Sequence, residues 1–264
     1  MQLDDKVFVI TGSGDGIGRA TAVEAARRGA RIVVSDIDDA AGQETLRQVE
    51  AAGGEGIYVH ADMRSRADIR ALMEAAAGQF GRIDVLHNNA GVHETNFTTE
   101  TATQDLSEDV WDTILAINLT AVWLCAKHAL PHMRTAGGGA IVNAASVGGL
   151  IAYPMSPAYA ATKAAVINLT KAMALDFWPD KVRANAICPA AVETAMTSRY
   201  WEAADDKEAI KKALIGSHLV RRLGDVRDVA NLVCFLASEE AAFINGTAVL
   251  IDGGSLAWRG TIME

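Results

Sequence analysis

Tyr159 and Lys163 stand four residues apart in Tyr159-Ala160-Ala161-Thr162-Lys163. On a helix that spacing puts both side chains on one face, one turn apart. A free tyrosine has a pKa of about 10, too high for an efficient acid or base near neutrality. A neighbouring ammonium favours the phenolate and lowers that value. The pair is therefore a candidate proton donor and acceptor. The same spacing also occurs on solvated helix faces, so the chemistry requires other groups that converge on it. One is Ser146, at the end of the apolar run Ala140 to Ala145. The carboxyl ends of strands are where open α/β sheets place ligands, although a serine there is often only a turn residue.

The elements that must position these groups can be followed along the chain. Val7-Phe8-Val9-Ile10 reads as a strand buried on both faces. A glycine-rich turn follows, Thr11 to Gly18, then a helical stretch Arg19 to Arg28, then a second apolar run Arg31 to Ser35 closed by Asp36. Strand, glycine turn, helix, strand and acid form the layout of a dinucleotide-binding unit. Glycines let the backbone approach a pyrophosphate, and the helix N-terminus supplies N–H donors and a favourable dipole. Further strands are expected at Gly56–His60, Asp84–His87, Ala140–Ser146, Val182–Ile187 and Thr247–Ile251. Helices are expected at Asp38–Ala52, Ser65–Phe80, Ser107–Thr135, Ser156–Trp178 and Asp225–Ser238, the third bent or broken near Pro131.

The chain has 264 residues, half of them apolar, and a formal net charge of -9. A sizeable core is expected, and the acidic balance argues against nucleic-acid or anionic-membrane partners. Cys125, Cys188 and Cys234 are far apart and lack metal-ligand spacing, which fits a reducing, cytoplasmic setting with no metal site. The polar start followed by a four-residue apolar run is too short for a signal peptide or a membrane span.

The turn Thr11-Gly12-x-x-x-Gly16-x-Gly18 resembles the fingerprint of the short-chain dehydrogenase/reductase family. The resemblance continues in the family's order through Asn88-Asn89-Ala90-Gly91, Asn118, Ser146, Tyr159, Lys163, Pro189-x-x-Val192-x-Thr194 and Asp252-Gly253-Gly254. It implies a single α/β Rossmann domain over residues 1–264, with a doubly wound seven-stranded parallel sheet flanked by helices on both faces. Residues 1–105 would mainly bind cofactor and residues 106–264 carry catalysis, with a substrate lid at about 190–217.

The resemblance implies a catalytic set of Asn118, Ser146, Tyr159 and Lys163. Lys163 would lower the pKa of Tyr159 and bind the nicotinamide ribose. Asn118 would hold a water that extends a proton relay. Cofactor contacts are implied at Gly12, Ser13, Asp15, Gly16, Ile17, Gly18, Asp36, Ile37, Asp62, Met63, Asn89, Ala90, Gly91, Pro189, Val192 and Thr194, besides Tyr159 and Lys163. Asp36 can accept hydrogen bonds from ribose hydroxyls and repel a ribose phosphate, so NAD is expected over NADP. Asp62 is expected beside the adenine amino group.

By position alone, substrate is expected to meet His93, Ser146, Val147, Tyr153, Ala191, Met196 and Tyr200. Ala190 replaces the family's usual glycine and would be strained if its φ were positive. The connection 92–106 is longer than the family leads one to expect and could shape a substrate mouth or be an idle excursion. The activity implied is hydride transfer between NAD(H) and a secondary alcohol or ketone, largely apolar or cyclic. Alternatives are a sugar or polyol dehydrogenase, a 3-oxoacyl carrier-protein reductase, or a non-catalytic NAD-binding sensor or scaffold. A homotetramer through the two long helices is implied, with the tail around Trp258 on a neighbouring subunit.

Overall fold

The computed structural model describes residues 2–202 and 205–258. Its elements run β1 (Val7–Thr11), α1 (Gly16–Arg27), β2 (Arg31–Asp36), α2 (Asp39–Ala51), β3 (Glu55–His60), α3 (Arg66–Phe80) and β4 (Val85–Asn88). They continue with α4 (Glu108–Leu115), α5 (Ala121–Thr135), β5 (Gly139–Ala144), α6 (Pro157–Asp176), β6 (Val182–Pro189), α7 (Ala195–Glu202), α8 (Lys207–Gly216), α9 (Val226–Ala237) and β7 (Ala248–Ile251). The seven strands form one parallel sheet in the order β3-β2-β1-β4-β5-β6-β7.

The continuous apolar runs have a direct cause. Successive strand side chains point to opposite faces, and both faces here are covered. Val7 and Val9 join a cluster with Ile69 and Met73 of α3, Cys125 of α5 and Val166 of α6. Phe8 and Ile10 join a second cluster with Ala22 and Ala25 of α1, Val49 of α2 and Cys234 of α9. Helix starts follow the expected capping chemistry: Asp38, Ser65 and Asp225 each accept a backbone N–H of the following turn.

The segment expected as one helix bent near Pro131 is interrupted elsewhere. A π-helical turn, Ala116–Thr120, joins α4 to α5, and α5 passes through Pro131 to end at Thr135. The extra residue of a π turn offsets the ladder without a proline, and such turns collect at functional positions. The combined stretch Glu108–Thr135 is long and apolar enough to cross a bilayer. In this fold Val122, Leu124, Cys125, Ala126, Ala129 and Met133 of that stretch are buried in the core.

Strand order reverses between β1 and β4, so the loops leaving their carboxyl ends diverge and open a crevice. The two ends are held together by side chains. Thr11 Oγ1 accepts from the N–H groups of Asn89 and Ala90, each at 3.1 Å. The Asn89 amide donates to Thr11 O (3.1 Å) and Gly12 O (2.7 Å). Thr11→Val keeps the shape of this buried residue and leaves two N–H donors without their acceptor. It should cost about 1–3 kcal/mol, read as a lower urea midpoint at unchanged slope; an unchanged midpoint would contradict this role for Thr11.

Candidate active site

The crevice is a cleft of about 560 Å³. At one end lie Asp36, Ile37, Asp62, Met63 and Arg64. At its other end lie Ser146, Tyr159 and Lys163, and between them Gly12, Asp15, Gly16, Ile17, Asn89, Ala90 and Gly91. Pro189, Val192, Thr194 and Met196 line the same cleft.

The glycine turn fits a pyrophosphate. Asp15 occupies the N-cap position of α1 but makes no side-chain cap bond, and the first turn of α1 holds no acidic residue. Its N–H groups and the positive dipole end are therefore left for an anion. A Cβ on Gly12, whose φ is +60°, would come within 2.7 Å of the Ala90 Cα. Gly14, which the three-glycine fingerprint passes over, has a separate role. Its N–H donates to Asp36 Oδ2 at 2.8 Å, and a Cβ there would press on that carboxylate. Asp36 Oδ1 also accepts from the Asp38 N–H at 3.0 Å, so the carboxylate is oriented from both sides. Ser13 and Gly18 belong to the turn's interior: the Ser13 hydroxyl donates to Ile10 O, and a Cβ on Gly18 would strike Gly12 O. These residues fit a dinucleotide.

Asp62 lies at the same end as Asp36, in a forked pair with Arg64 at 2.6–3.0 Å. The Arg64 guanidinium holds the Asp62 carboxyl below its usual range. Sequence reading missed Arg64, which no motif marks.

At the other end, the β5 chain leaves the sheet at Ala144, and Ser146 caps a short 3₁₀ turn, accepting from the Gly148 N–H at 3.1 Å. The Ser146 hydroxyl also faces Pro189 O at 3.5 Å, and it acts on Tyr159 in the direction that favours the phenolate. Lys163 is 4% exposed and donates to Ala144 O at 2.7 Å. Its ammonium lies 5.4 Å from the centre of the Tyr159 ring. Burial pushes the Lys163 pKa down to about 8. The pKa of Tyr159 is raised, because protein packed around the phenol disfavours the phenolate more than the neighbouring Ser146 side chain favours it. The expectation that Lys163 tunes this tyrosine below its ordinary value therefore does not hold in the protein by itself. Lys163 turns its ammonium to a strand-end carbonyl and gives the phenol only a distant face.

Asn118 sits in the π turn, fully buried. Its amide is paired on both atoms with the backbone of Val92, donating to Val92 O and accepting from Val92 N–H, each at 2.8 Å. A longer contact reaches Thr162 Oγ1 at 3.4 Å. The side chain thus ties the loop after β4 to the helix of Tyr159 and Lys163.

The expected substrate residues separate into two groups. Met196 and Ser146 line the cleft. His93 is 1% exposed and Val147 2% exposed, and neither opens on it. His93 instead packs its ring against Tyr159, centroids 5.1 Å apart. Tyr153 is exposed, and Ala191 lines a neighbouring depression with His218 and Arg222. The Tyr200 side chain lies outside the described residues, as does the tail beyond Trp258. Residues that line the cleft and were not foreseen include Val92, Phe97, Thr113, Ile117 and Thr197. Ala190 lines it without strain: it is not among the residues with positive φ, and its N–H reaches Ile251 O at 3.3 Å.

Comparison with known proteins agrees with this geometry. A family model described as enoyl-(acyl carrier protein) reductase matches residues 12–255. Meso-2,3-butanediol dehydrogenase of Serratia marcescens is 39% identical, over 98% of each chain. Cyclohexanol dehydrogenase of Acinetobacter sp. (strain SE19) is 35% identical, over 96% of this chain and 95% of the relative. The crystal structure of carveol dehydrogenase from Mycobacterium avium in complex with NAD superposes with a TM-score of 0.90 at 30% identity, covering 97% of this chain and 99% of that one. With the parallel sheet, the glycine turn and the Ser–Tyr–Lys cluster all in place, the chain belongs to the short-chain dehydrogenase/reductase family.

Proposed function

We propose that this protein is an NAD(H)-dependent dehydrogenase that interconverts a secondary alcohol and its ketone, on a substrate with a largely apolar or cyclic body. The observation that carries this reading is that Ser146, Tyr159 and the buried Lys163 one turn on line a single cleft shared with the open N-terminus of α1. When bound, the cofactor supplies the nicotinamide carbon that accepts or gives hydride. Ser146 holds the substrate oxygen beside Tyr159. Tyr159 gives its phenol proton to the forming alkoxide in reduction and takes the alcohol proton in oxidation. Lys163 binds the nicotinamide ribose, and Asn118 supports the relay behind it.

The preference for NAD rests on Asp36, whose two oxygens are already aligned by Gly14 and Asp38. Arg64, the cation at that end, is engaged by Asp62. Val92, Phe97, Ile117 and Met196 offer the substrate apolar contact, with residues 190–217 as its lid. Thr113 in the same cleft, with the similarity to a butanediol dehydrogenase, favours a second reading in which the substrate carries a neighbouring hydroxyl. The enzyme works in the cytoplasm as a homotetramer. Its cysteines are free and buried, and Trp123 on α5 and Leu175 on α6 are exposed apolar residues on the helices that would pair.

Tyr159→Phe should lower turnover of the alcohol by ~10²–10⁴-fold, the usual contribution of a general acid–base group, while NADH fluorescence still reports binding. Near-full activity in this variant would remove Tyr159 from the mechanism. Asp36→Ala should weaken NAD and relax discrimination against NADP in steady-state kinetics with both cofactors. An unchanged preference would contradict the reading of Asp36.

A further inference from the structure

The helix that carries Tyr159 is not capped by its own sequence. Pro157 is its first residue and has no N–H, and Ser156, at the N-cap position, makes no side-chain bond to the helix. The Ser156 hydroxyl donates to Pro154 O (3.1 Å) and lies 3.0 Å from His93 Nε2. The next two N–H groups, of Ala158 and Tyr159, both go to Glu94 Oε1 at 2.8 Å. Glu94 lies more than sixty residues earlier, in the loop after β4, and its side chain is 0% exposed.

A carboxylate at a helix N-terminus meets both the free N–H donors and the positive end of the dipole. That accounts for one oxygen. The other, Oε2, is buried with no hydrogen-bond partner. His93 Nε2 lies 3.5 Å from it. Nδ1 of His93 accepts from the Thr95 N–H (3.2 Å), which assigns the ring hydrogen to Nε2 in a neutral imidazole. Burial also lowers the pKa of His93. Glu94 is therefore a buried charge against a neutral ring, and an unpaired carboxylate oxygen is costly to bury. Its place at the first turn of the helix that carries Tyr159 gives that cost a purpose.

We propose that Glu94 is a positioning residue for proton transfer at Tyr159, acting from the loop after β4 by clamping the first turn of α6 and keeping a negative charge against it. This rests on reading Tyr159 as the acid–base group. The clamp fixes where the phenol stands relative to Ser146. The charge opposes the phenolate, so the phenol stays loaded with its proton until substrate oxygen arrives. The other groups facing the phenol are Lys163 on its own helix, Ser146 after β5, Cys188 on β6, Tyr153 ahead of α6 and His93 beside Glu94. The loop 92–106 is thereby more than an excursion, since its Glu94 holds the first turn of the helix that carries Tyr159.

The test uses the full chain, three Glu94 variants and a Tyr159→Phe reference. Tyr159 ionisation is followed by phenolate absorbance against a Tyr159→Phe background, a titration that needs no substrate. Glu94→Gln keeps an acceptor for the two N–H groups and removes the charge; its midpoint should fall by about one pH unit. Glu94→Asp keeps the charge and should hold the midpoint, while its shorter reach loosens the clamp. With saturating NAD and cyclohexanol, Glu94→Ala should lose at least about tenfold in kcat, with the Kd of NADH within about twofold. A midpoint in Glu94→Gln indistinguishable from the unaltered protein overturns the proposal, as does a Glu94→Ala enzyme of full kcat. If Glu94→Ala does not fold, or the unaltered protein does not oxidise cyclohexanol, the titration of Glu94→Gln decides alone. Absence of turnover in the unaltered protein counts against the alcohol dehydrogenase reading; an unmoved midpoint counts against Glu94.

Discussion

The site depends first on how the carboxyl ends of β1 and β4 are tied together. Parallel strands on either side of the reversal send their loops in opposite directions, and nothing in the sheet ladder keeps those loops in register beyond the last paired residues. Thr11, Gly12 and Asn89 do so through four hydrogen bonds between side chain and backbone. Gly12 allows the approach, since any Cβ would collide with Ala90. The glycine turn and the loop that runs to the helix of Tyr159 are thus one rigid piece.

From that piece the loop after β4 extends the same logic to the chemistry. Asn118 holds Val92 by both of its backbone groups, and Glu94 takes the first two free N–H groups of α6. Tyr159 is therefore placed by contacts from β5, from the π turn and from this loop, as well as by its own helix. Lys163, buried and pointed at Ala144 O, is a costly group to keep charged in the folded protein. Its burial is better explained by a ligand it must meet than by packing.

Much of this was legible in the sequence. The apolar runs marked the strands and the glycine turn marked one wall of the cleft, because strand burial and tight turns leave local signatures. Ser146, Tyr159 and Lys163 were found through spacing that matches a known family. The less legible features are those that arise between distant segments. Glu94 looks like an ordinary surface glutamate in a polar loop, since its partners lie more than sixty residues away. His93 and Val147 stand beside cleft residues in sequence but turn into the core. The interruption expected at Pro131 fell instead around Asn118, where tertiary contacts to Val92 and Thr162 shape the helix and no residue type announces it. The raised pKa of Tyr159 likewise follows from burial, which a Tyr–Lys spacing does not report.

The most direct measurement is the fate of the carbinol hydrogen. The protein is incubated with NAD and cyclohexanol or meso-2,3-butanediol deuterated at the carbinol carbon, and the reduced cofactor is analysed by mass spectrometry. Deuterium on the nicotinamide ring, with formation of the ketone, is the expected result. Reduced cofactor lacking deuterium would contradict direct hydride transfer. Binding of NAD without turnover across secondary alcohols would contradict the dehydrogenase reading and favour a protein that only senses the nucleotide.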